Sequence, residues 1–93
     1  MDLKALTAAK APSLPSKITD ADVKKAHAKF LTAFGKLQTS AKAFKTEFDT
    51  GAKAGNDFYS AVEAAAKAAK GDPRTELMKF LNEVLTFKRD NLG

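Results

Sequence analysis

Between Val23 and Phe48 the chain repeats at alternating steps of four and three: Val23, His27, Phe30, Phe34, Leu37, Ala41, Phe44 and Phe48. This spacing predicts a long amphipathic helix with a heptad seam that carries four phenylalanines. Thr19 suits the N-cap, Asp22 follows three positions later, and Ile18 with Val23 fits the two ends of a hydrophobic staple. Asp20 and Asp22 favour the positive end of the helix dipole. The segment DTGAKAGND, with Gly51, Gly55, Asn56 and Asp57, predicts a stop near Thr50. The same phase nevertheless runs on through Gly51, Gly55, Phe58, Val62, Ala65 and Ala69. One continuous helix over 19–70 is therefore the alternative, with the glycines at a close contact. Interior glycine costs ~1 kcal/mol relative to alanine, so two of them favour the break.

A second helix is expected from about Asp57 to Lys70, with Phe58, Val62 and Ala65 turned inward. Gly71, Asp72 and Pro73 then supply a helix end, an N-cap and a first helical residue in succession. The second and third helices must therefore form an antiparallel hairpin. The third helix reaches about Asn91. Its apolar residues Leu77, Met78, Phe80, Leu81, Val84, Leu85 and Phe87 span about half of its circumference. Such a helix touches two neighbours, or one neighbour and another molecule. Ahead of all this, residues 1–11 are rich in Ala, Leu and Lys, and Pro12 and Pro15 stiffen the PSLPSK connector.

The expected fold is all-α: an antiparallel three-helix bundle over residues 19–93, with a long first helix followed by a hairpin. An N-terminal arm, residues 1–18, has room for a short fourth helix. At 93 residues this is one domain with a thin core. No apolar run approaches the ~20 residues of a membrane span, and no signal-peptide h-region is visible. The expectation is a soluble chain, cytoplasmic by default.

Charge changes this picture only locally. The net charge is +5, and Val23–Thr46 holds six lysines and no acid. Lys24, Lys25, Lys29, Lys36 and Lys42 are the candidates for an anionic surface, nucleic acid or lipid headgroups. Lys25, Lys29 and Lys36 form one stripe, whereas Lys24 and Lys42 lie on another flank. Chemistry is sparse. His27, the lone histidine, lies on the apolar seam among lysines, a poor setting for the base of a nucleophilic triad, and without a second histidine or any cysteine no paired-histidine motif or thiolate metal site can be assembled. GAKAGND lacks the G-K-[ST] ending of a phosphate loop, and Glu76 and Glu83 sit seven apart on a polar face. No catalytic, cofactor-binding or metal-binding residues are assigned, and no cofactor is expected.

The leading expectation is a non-catalytic structural or adaptor protein, held to a protein partner or to its own copies by apolar helix faces. The interface candidates are Leu3, Leu6, Leu14, Met78, Leu85 and Phe87. The alternatives are a small basic nucleic-acid-binding protein and an amphipathic binder of lipid surfaces.

Overall fold

The computed structural model describes residues 8–39 and 44–92, without the side chains of 44–47. Three helices follow one another: α1 (Ala21–Thr39), α2 (Phe44–Ala68) and α3 (Asp72–Asn91). No strand occurs among the described residues. The central helix α2 packs against both α1 and α3, and the whole forms an all-α three-helix bundle.

Helix α1 begins at Ala21, and the Lys24 amide closes the first bond onto the Asp20 carbonyl at 3.0 Å. Ile18 and Val23 are both buried, as the staple pattern requires. The helix ends at Thr39, eleven residues before the expected stop at Thr50. There the Thr39 hydroxyl donates back to the carbonyls of Gly35 (3.1 Å) and Lys36 (3.3 Å). Such back-bonding competes with the helical backbone ladder. The seam is divided between two helices, and the longer of them is the second.

Helix α2 runs unbroken through Gly51 and Gly55, where the sequence pattern suggested a loop. The reason is tertiary. Both glycines are buried, and four residues apart they lie one turn above the other on a single face. A Cβ on Gly51 would stand 3.4 Å from Leu37 Cδ2, an ordinary contact. One on Gly55 would stand 3.1 Å from Leu92 Cδ1 and 3.4 Å from Phe30 Cε1. At Gly55 the missing Cβ lets Phe30 and Leu92 close onto the α2 backbone, and that packing offsets a propensity penalty of ~1 kcal/mol. Further along, Phe58, Val62 and Ala66 complete the buried stripe, with Ala65 half-buried beside them.

The α2–α3 turn follows the sequence expectation closely. Gly71 takes φ of +69°, a left-handed conformation that glycine adopts without penalty. It serves as the N-cap of α3 rather than as the end of α2, and Thr75 N–H bonds its carbonyl at 3.2 Å. Pro73 sits in the first turn.

The core is aromatic. Phe30 stacks on Phe34 (5.7 Å between ring centroids) and on Phe58 of α2 (5.5 Å), and meets Phe87 of α3 edge-on (5.9 Å). Phe58 in turn meets Phe80 at 5.6 Å. Offset and edge-to-face pairs of this kind add ~0.5–1.5 kcal/mol each beyond area burial. Leu77, Leu81, Val84 and Leu92 fill the remainder.

The arm is part of the fold. Residues 8–18 lie along both α1 and α3. Lys17 pairs with Glu76 near the start of α3 at 3.8 Å. Pro12 lies beside Asn82, Thr86, Phe87 and Asn91 of α3. The Gln38 amide of α1 donates to the Ala9 carbonyl at 2.7 Å, and His27 Nε2 donates to the Pro12 carbonyl at 2.8 Å. Ile18 is fully in the core, and Leu14, Ala11 and Ala9 pack against it. The expected short fourth helix falls largely on residues 1–7, outside the described residues.

Candidate functional site

The interface candidates separate into three groups. Leu3 and Leu6 lie outside the described residues. Leu14 and Phe87 are used internally. Leu14 packs on the core, and the Phe87 ring stands 5.1 Å from Phe34. Met78 and Leu85 remain in solvent, 44% and 43% exposed. They are seven residues apart on α3 and so nearly in phase, forming one stripe along its outer side. Leu85 also rims a shallow hollow shared with Ala52 and Asn56 of α2 and with Lys88, Arg89 and Leu92. Lys88 covers one edge of this region, its amine 4.8 Å from the centre of the Tyr59 ring. That contact fits a cation–π interaction and a lysine stem laid over apolar surface. Leu31 of α1 is exposed to a similar degree, 43%. In the sequence pattern it widens the seam at its edge.

The lysines are arranged more simply than their number suggests. Lys25 and Lys29 line a hollow between α1 and α2 with Asp22, Ala26, Ala54 and Asp57. Lys29 continues into a second hollow with Ala28, Thr32, Ala33, Lys36 and Thr50. The stripe Lys25–Lys29–Lys36 therefore borders one shallow groove. Lys24 is exposed and stands apart from it. Lys42 lies outside the described residues. The groove also contains carboxylates, and Asp57 is engaged by Lys53 at 3.0 Å. Both partners of that pair are well exposed, so it contributes little to stability.

His27 is half-buried, its ring 5.3 Å from that of Phe58 and its Nε2 on the Pro12 carbonyl. Its work is to hold the arm. Among the described residues no polar or charged side chain is buried, and no cluster of histidine and carboxylates has the geometry to hold a metal ion. No helix there is long and apolar enough to cross a membrane. What the arrangement offers is surface: an apolar stripe on α3 and a mixed, mainly basic groove along α1 and α2.

No protein-family model, curated protein or solved structure matches the chain.

Proposed function

We propose that this protein is a non-catalytic association module, a small helical subunit that joins other chains through the outer side of α3. The observation that carries the reading is the placement of Met78 and Leu85. They stay in solvent although the same helix buries Leu77, Phe80, Leu81 and Val84. Leaving two large apolar side chains in water forgoes roughly 1 kcal/mol for each half-buried residue, judged from the value of full burial. A partner surface recovers it. The hollow beside Leu85 supplies the concavity in which an apolar side chain from a second copy can rest.

The test is reversible self-association. Light scattering across a wide concentration range is expected to show a mass that rises with concentration. Met78→Lys together with Leu85→Lys should hold the chain at monomer mass with its helicity intact, since neither side chain belongs to the core. A particle that is monomeric at every concentration counts against the reading.

A second reading rests on the groove bordered by Lys25, Lys29 and Lys36. A row of lysines over small side chains suits a polyanion, and binding through phosphate neutralisation weakens steeply as salt rises. Asp22 and Asp57 inside the groove weigh against it. Gel retardation of DNA and RNA at low salt decides: a shifted band that Lys25→Glu with Lys29→Glu removes supports this reading, and an unshifted band excludes it.

A further inference from the structure

The third side of the bundle, between α1 and α3, is occupied by the arm. The arm is held there by means that do not depend on which chain it belongs to. Two side-chain donors of α1 grip its backbone: Gln38 at the Ala9 carbonyl and His27 Nε2 at the Pro12 carbonyl. These carbonyls are three residues apart. In an extended chain with three residues per turn, that spacing puts them on one edge. Leu14 packs against the apolar floor between the helices. Within the described arm the one backbone–backbone hydrogen bond is local, Ile18 N–H to the Pro15 carbonyl at 3.1 Å. It closes a turn at Ser16 and Lys17. Ahead of that turn, Pro12 and Pro15 bias Ala11 and Leu14 to extended backbone, so residues 11–15 lose little entropy when the arm leaves and re-docks.

The geometry points to reciprocal arm exchange: residues 8–14 of one copy lying in the α1–α3 groove of a second copy, with the Pro15–Ile18 turn as the hinge. A second copy is the occupant whose fit is already demonstrated, since its arm has the sequence the groove now holds. Exchange replaces each internal contact by the same contact between chains, a low-cost route to a dimer. The short tether gives the internal arm an effective concentration in the millimolar range, so the closed monomer prevails until the hinge is altered or the chain folds at high concentration. This mode is separate from the α3 stripe. Pro12 lies beside Asn82, Thr86 and Asn91, whereas Leu85 faces Ala52 and Asn56 of α2.

The experiment removes Ser16 and Lys17 from the full chain. Without them the turn cannot form, and the arm reaches only the groove of another copy. Light scattering is expected to give twice the monomer mass at unchanged helicity. Leu14→Asp in that background should return it to a monomer, while Met78→Lys with Leu85→Lys should leave it a dimer. A monomer of unchanged helicity overturns the exchange. So does a dimer indifferent to Leu14→Asp, and a dimer dissolved by the α3 substitutions instead assigns association to that face alone. The shortened chain is paired with the unaltered one, refolded from denaturant at high concentration. There a dimer fraction is expected that Leu14→Asp eliminates, and strictly monomeric refolded material contradicts the exchange.

Discussion

Phe30→Ala is expected to lower the unfolding free energy by about 3–5 kcal/mol, the range for deleting a fully buried phenylalanine. Phe30 is 1% exposed, and its ring meets Phe34, Phe58 and Phe87. It is the side chain at which all three helices converge. Its removal leaves a cavity that α1 cannot close, because the arm and α2 fix it from two sides. Domains of this kind hold about 5–15 kcal/mol in total, so the loss is a large fraction of the whole. With a urea slope of about 1–3 kcal/mol per molar, the midpoint should fall by roughly 2 M. Equilibrium urea unfolding followed by circular dichroism measures it. A midpoint unmoved within error would mean that the three-helix convergence is not the core of the folded chain.

The second large effect concerns Gly55. Gly55→Leu should destabilise by about 1–3 kcal/mol relative to Gly35→Leu, the usual penalty of overpacking. The two substitutions share the gain in helix propensity of about 1 kcal/mol. They differ in surroundings. A Cβ at Gly35 meets nothing within 4 Å, whereas at Gly55 it presses on Leu92 and Phe30. Gly35→Leu should therefore raise the melting temperature and Gly55→Leu should lower it. Equal shifts at the two sites would show that α1 and α3 do not close onto α2 at Gly55.

Gly55 also explains where sequence and structure part. At every position where its side chains are described, the three-four phase from Val23 to Ala69 falls on buried or half-buried residues, yet it did not locate the division into two helices. Two helices that face each other display the same phase as one straight helix, because both halves of the seam point at the same core. Glycine then pulled the expected break to residues 51–57. Its intrinsic penalty was read as a stop signal, although at Gly55 close packing against Phe30 and Leu92 outweighs that penalty. The true end at Thr39 carried only a threonine and neighbouring polar residues as its signal. By contrast, Gly71–Asp72–Pro73 marked its turn plainly, although each residue stands one position further into α3 than the pattern assigned.

The candidate surface was half legible. That α3 is apolar over half its girth could be seen in its residues. Which part stays open could not, because that depends on the arm. Pro12 and Pro15 announce an extended segment, but nothing in their spacing says that His27 and Gln38 will hold its carbonyls. With the arm docked, Leu14 and Phe87 pack half-buried against the core and Met78 and Leu85 do not. The lysines were legible as a stripe, and the structure adds the groove they border and the carboxylates within it.

The measurement that reaches the central claim most directly is a dilution series of amide nuclear magnetic resonance spectra on the unaltered chain. Association through α3 predicts concentration-dependent shifts gathered on Met78, Leu85 and their neighbours Asn56 and Arg89, with Lys25 and Lys29 on α1 unmoved. Spectra that do not change with concentration, or shifts spread evenly over all three helices, would contradict it.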